Sequence, residues 1–174
     1  MAGKLIEINP VDFVTIGTIG PKGQRTFHLQ SGRGNQLITL LIEKEQAWAL
    51  SEAIREMLTD LQQRRPDPDS AAEPDFVGVD MDLREPIEPV FRVSQMGLGY
   101  DEDSDKIVLV AQEMVARTST TEDDDDDNDE EEPSVARLWC SRLQMRLLSA
   151  HAMEVVKAGR ADPKQNGRLT YYWT

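Results

Sequence analysis

Cysteine and histidine are almost missing from the 174 residues: Cys140 stands alone, and His28 and His151 are the two imidazoles. One thiol cannot close an internal disulfide, which fits a reducing compartment, and one Cys with two His cannot complete a tetrahedral zinc site of sulfur and imidazole. No metal and no cofactor is expected. Long apolar runs are missing too. Nothing approaches the roughly 20 residues that cross a bilayer, and residues 1–10 hold no apolar block of the kind a secretory signal needs. The expectation is a cytoplasmic protein without a membrane partner. Positive charge is scarce, with 19 Lys and Arg against 32 Asp and Glu for a formal net charge of −13. Nucleic-acid binding draws on clustered cations that release phosphate counterions, so it is disfavoured.

The acidity is local. Ten acids fall in residues 122–132, broken by Asn128 alone, and without them 22 acids face 19 bases. The body of the chain is nearly balanced, and at 39% hydrophobic residues it can bury a core. Residues 11–19 are rich in β-branched side chains and run into Gly20-Pro21-Lys22-Gly23, a turn signal. Residues 24–30 alternate, placing Phe27 and Leu29 on one face and Thr26, His28 and Gln30 on the other, expected to be wet. A second turn is expected at Gly32-Arg33-Gly34-Asn35. Residues 36–43 are too continuously apolar for a half-exposed strand and suit a central one. From Lys44 to about Arg65, apolar residues recur every three or four positions, which predicts an amphipathic helix stopped by Pro66 and Pro68.

Residues 66–89 form a Pro-rich linker, with a short ordered piece expected near 75–81. The second half then repeats the grammar of the first. Strands are expected at 90–100, 106–118 and 135–142, a turn at 101–105, an acidic loop at 119–133, and a helix at 143–158 closed by Gly159. An offset of 98 residues aligns Leu40, Gln46, Leu50 and Ser51 with Leu138, Gln144, Leu148 and Ser149. The expected fold is therefore α+β: two pseudo-repeated βββα units, 11–65 and 90–160, packed around one shared core in a single domain with a mainly antiparallel sheet. Three strands and one helix leave a sheet face or edge unprotected, so the halves should join edge to edge or face to face.

Three short motifs, Gly23-Gln24-Arg25-Thr26-Phe27, Glu43-Lys44 with Gln46, and Phe91-Arg92-Val93 through Met96 and Leu98 to Tyr100-Asp101, occur in an order and spacing that resemble the bacterial family known as domain of unknown function 3090. The resemblance covers most of residues 11–160 and implies no established activity. Many members of that family carry a cysteine- and histidine-bearing tail after the Ala-Gly-Arg that stands here as Ala158-Gly159-Arg160. Residues 161–174 have neither residue type, so no zinc role for such a tail carries over.

Catalytic patterns are thin. Gly17, Gly20 and Gly23 lack the Lys-Ser or Lys-Thr and the following helix of a phosphate loop, and Gly20-Pro21-Lys22-Gly23 joins strands where the RNA-clamping loop joins helices. Asp101, Asp103 and Asp105 have the spacing that opens a calcium loop, but Lys106 and Gln112 stand where Gly and Glu are required. Cys140 reads as a small buried residue without an activating base. An interaction or regulatory module for a protein partner is the leading expectation, using sheet edges, the acidic loop and the tail residues Tyr171, Tyr172 and Trp173. The alternative is a binder of an anionic metabolite, or an enzyme acting on one, with Gln24, Arg25, His28, Arg92 and Gln112 as its candidate ligand residues.

Overall fold

A computed structural model describes residues 3–21, 23–67, 79–115 and 132–158. Seven strands and two helices follow in the order β1 (Leu5–Ile8), β2 (Phe13–Ile19), β3 (Thr26–Arg33), β4 (Gln36–Ile42), α1 (Lys44–Arg64), β5 (Pro89–Asp101), β6 (Lys106–Glu113), β7 (Val135–Cys140) and α2 (Arg142–Ala158). The strands form one sheet ordered β1-β7-β6-β5-β4-β3-β2. It is mostly antiparallel, as expected, with parallel pairing at β1/β7 and β4/β5. The α+β class holds, and the two halves meet edge to edge at β4/β5.

Residues 5–8, which look in sequence like a short polar start, form a strand because Ile8 is buried and the backbone ladders onto β7. That strand also bends the whole sheet. β1 and β2 lie at opposite ends of the strand order, about 29 Å apart if the sheet were flat at about 4.8 Å per strand. The chain from Ile8 to Phe13 reaches at most about 18 Å. The sheet must curl until its ends approach, and the hydrogen bonds show the handover: Val11 N–H donates to Trp139 O of β7, and Asp12 N–H to Gly32 O of β3. β5 makes the same switch within one strand, pairing parallel with β4 up to Arg92 and antiparallel with β6 from Val93.

Other boundaries shift by local chemistry. β3 continues to Arg33, so the turn after it tightens to Gly34-Asn35, with Gly34 at φ 57, a conformation that glycine adopts without strain. β6 stops at Glu113. Residues 116–131 and 159–174, including most of the acidic run, the Gly159 cap and Tyr171 to Trp173, lie outside the described residues.

The helices pack on each other, α1 also touching β5 and α2 touching β2. Their contact is small at its centre: Ser51 Oγ donates to Ser149 O at 2.8 Å, and Ser149 Oγ to Ser51 O at 2.9 Å. Each helix opens on a glutamine with two tasks. Gln46 Oε1 accepts from Glu43 N–H while its Nε2 donates to Val93 O of β5. Gln144 Oε1 accepts from Ser141 N–H while its Nε2 donates to Val11 O just before β2. Each amide thus caps its own helix and ties it to a strand of the other half.

The expected wet face of β3 is dry at His28 and Gln30, with Thr26 at its start exposed as expected. Thr15, Gln30 and Thr39 are essentially buried, and His28 is 4% exposed. The cover comes from residues 79–88 of the presumed linker, whose end forms a strap across this face. Thr15 Oγ1 donates to Met81 O at 2.6 Å; Gln30 Nε2 donates to Arg84 O at 2.8 Å and to Thr39 Oγ1, while Gln30 Oε1 accepts from Arg84 N–H. The Gln30 amide pairs with Arg84 as a neighbouring strand would. Leu83 sits over Gly17, where a Cβ would come within 2.5 Å of its Cγ, and the Arg84 guanidinium stacks 3.6 Å from the centre of the Phe13 ring.

Candidate functional site

Two of the expected ligand residues meet. Arg25, from the β2–β3 hairpin, and Arg92, from β5, line one open cleft of about 390 Å³ with Lys44, Glu43 and Glu45 at the start of α1. Phe27, Leu41 and Ile42 form its apolar wall. The cleft exists because β4 ends at Ile42 directly beneath the start of α1, while its two sheet neighbours deliver one arginine each. Arg25 donates to Ala158 O at the end of α2, a favourable place for a cation because unpaired helix carbonyls point there. Arg92 pairs with Glu43 at 2.6 Å, but both side chains are about half exposed, so the pair contributes little. Three cations against two carboxylates give this cleft a positive balance in an acidic protein.

The corresponding end of the other half is built with opposite chemistry. Arg25 is the last hairpin residue before β3, and Asp105 is the last before β6. Lys44 is the first residue of α1, and Arg142 is the first of α2. Asp105 and Arg142 form an ion pair at 2.9 Å, with Arg142 5% exposed. Tyr100 O–H donates to Asp105 at 2.6 Å, and Arg142 also donates to Arg65 O at the end of α1. Burial pushes the Asp105 carboxyl up, but the Tyr100 hydroxyl and the Arg142 guanidinium outweigh it and hold the group below its usual range. One end neutralises itself; the other sets Arg25 and Lys44 around one opening.

The remaining expected residues go elsewhere. His28 does not line the cleft: it is buried farther along β3 with Nδ1 lacking a hydrogen-bond partner, and burial pushes its pKa below 6.5. Gln24 is exposed in the hairpin and does not line the cleft. Gln112 accepts from Gln95 on the outer face of β5 and β6. Cys140 is buried, and burial pushes its thiol up to about 12, which removes it as a nucleophile at neutral pH. Asp101, Asp103 and Asp105 belong to a hairpin turn, Asp105 at φ 51. Lys44 and Glu43 stand in the sequence as part of a motif without a site role, and the β4–α1 junction is what brings them beside Arg25 and Arg92. The order strand, Glu-Lys, helix was the available signal.

A family model described as "Protein of unknown function (DUF3090)" matches residues 6–165. No curated protein and no solved structure matches the chain.

Proposed function

Taking as premise that the chain belongs to the DUF3090 family, we propose that it is a non-catalytic binding module whose cleft at Arg25, Lys44 and Arg92 receives an anionic group of a small ligand. The observation that carries this is the charge inversion between the two ends. Where Asp105 supplies a carboxylate to Arg142, the cleft sets Arg25 beside Lys44 and Arg92, and its two carboxylates, Glu43 and Glu45, leave one cation over for an anion from outside. Guanidinium and ammonium groups converging from separate elements suit a phosphate or carboxylate, and an apolar wall accommodates its carbon skeleton. The lack of an activated nucleophile among the described residues favours binding over turnover: the Cys140 thiol is buried with its pKa pushed up, and His28 is covered.

A panel of inorganic phosphate, small carboxylates and nucleotides, followed by thermal shift and calorimetry, tests this. A ligand that binds the folded state alone raises the melting temperature by mass action, and Lys44→Ala with Arg92→Ala should abolish the shift. Equal shifts in the wild type and the double variant would refute the assignment.

A second reading keeps the cleft and changes the ligand to an acidic side chain of a protein partner. Exposed Trp48 favours it, four residues along α1 from Lys44 on the same helical face, as does exposed Val90 two residues before Arg92. In that case no member of the small-anion panel binds, and an acidic peptide does.

A further inference from the structure

The three strands of each half share a register. Gly17, His28 and Leu41 stand opposite one another across β2, β3 and β4, and Gly99, Val108 and Trp139 do so across β5, β6 and β7. The adjacent row is Thr15, Gln30 and Thr39 in the first half, and Gly97, Val110 and Arg137 in the second. These rows form the outer faces, away from the core residues Leu29 and Leu109. In the first half the face is covered by the strap, with Leu83 in the hollow that Gly17 leaves.

In the second half glycine occupies two successive outward positions of β5, and the hollow lies over Gly97. A Cβ added there would meet no atom of the described residues within 4 Å, whereas one at Gly99 would stand 3.0 Å from Val108 Cγ1, which walls the hollow on that side. Its walls, Val108, Val110 and Trp139, are only half-buried. Apolar walls, a glycine floor and partial exposure make this a surface that gains by being covered.

We infer that the outer face of β5, β6 and β7 is a docking trough for an extended partner peptide that seats an aliphatic side chain over Gly97, against Val108, as Leu83 seats over Gly17. The strap shows the chemistry of the occupant. Its Met81-Asp82-Leu83 stretch places an acid beside the anchoring leucine, and the second face has Arg137, about half exposed and paired with Glu7 only at 3.6 Å, at the rim of the trough. The fit is therefore to an extended segment carrying a branched aliphatic residue directly preceded by an acidic one. Val110 stands where Gln30 clamps the strap backbone, so recognition rests on the apolar side chain and the rim charge. Such a site binds weakly and exchanges quickly.

The test is a nuclear magnetic resonance titration of the full chain with a synthetic peptide of residues 79–88, alongside the same peptide carrying Leu83→Ser. Saturable shifts are expected at Gly97, Gly99, Val110 and the Trp139 indole N–H. Gly97→Leu fills the hollow without a clash and should leave the remaining spectrum unchanged while weakening the peptide by about tenfold or more, the worth of seating one leucine. The Leu83→Ser peptide should lose as much. Absence of saturable shifts, unchanged affinity in Gly97→Leu, or shifts confined to Thr15, Gly17 and Gln30 would each overturn the inference, the last because the peptide would then be replacing the strap.

Discussion

Gln30→Leu isolates the latch of the strap. Gln30 is fully buried and makes three hydrogen bonds, two with the backbone of Arg84 and one with Thr39 Oγ1. Leucine has nearly the same volume, so cavity formation is minor and the loss is polar. Each intramolecular hydrogen bond contributes about 1 kcal/mol net, and a buried donor or acceptor left unpaired costs about 1–3 kcal/mol. Arg84 can recover water because its residue is exposed, whereas Thr39 cannot. The two Arg84 bonds at about 1 kcal/mol each and the unpaired Thr39 at about 1–3 kcal/mol sum to about 3–5 kcal/mol, which corresponds to about 6–20 °C in melting temperature for a chain of this size.

Hydrogen exchange distinguishes this account from general destabilisation. The Arg84 amide should lose its protection in Gln30→Leu while the amides of β6 and β7 keep theirs, because opening of the strap is local. Arg84→Ala removes the stacking on Phe13 without touching the backbone pairing, and because both contacts hold the same strap its effect should be less than additive with Gln30→Leu. A Gln30→Leu protein within about 0.5 kcal/mol of wild type, with the Arg84 amide still protected, would show that the amide pairing does not hold the strap.

Two further outcomes concern charge. Asp105→Asn removes the partner of a buried guanidinium; with Asp105 itself about half exposed and solvent screening part of the pair, the expected loss is about 1–3 kcal/mol in urea unfolding. Since the folded state holds the Asp105 carboxyl below 3.8, its contribution is present above that value and is lost as pH falls through the lower folded value, a dependence that Asp105→Asn should erase. His28 has the same sign: burial lowers its pKa from 6.5, so the folded state binds fewer protons than the unfolded chain, and stability is complete above 6.5 and falls as the solution is acidified through the folded value. Urea unfolding at two pH values either side of 6.5 should show that slope in wild type and a flatter one in His28→Leu; equal slopes would place the sensitivity elsewhere.

Periodicity made most of the elements legible. The helices α1 and α2 and the strands β2 to β7 announce themselves because each carries its own signal in consecutive residues. β1 has no such signal. Four residues containing Glu7 become a strand only because β7, about 130 positions away, offers a parallel edge, and non-local pairing leaves little trace in a short segment. Alternation in β3 correctly separated Phe27 and Leu29 from His28 and Gln30, but a period of two says which residues share a face, not what covers it. The cover is the end of a Pro-rich stretch whose composition reads as linker. Likewise Arg25 and Arg92 could be paired as candidates from their motifs, whereas Lys44 needed the geometry of the β4–α1 junction to join them.

The position of the cleft follows from how the sheet is joined. Arg25 belongs to the first set of strands, Arg92 to β5, and Lys44 to the helix that leaves β4, so the three cations share an opening only while β4 and β5 are paired. That pairing is the parallel junction between the halves, reinforced by Gln46 reaching from α1 to Val93 and Ser94 of β5. An anion in the cleft therefore binds the joined state in preference to the separated one and stabilises the junction by the difference. The other junction, β1 with β7, has Leu5 and Glu7 beside Val135 and Arg137 and no comparable gathering of cations. On the proposed reading, anion binding couples occupancy to stability at the β4/β5 seam, whereas the β1/β7 seam is held by backbone pairing, buried Ile8 and the Glu7–Arg137 pair.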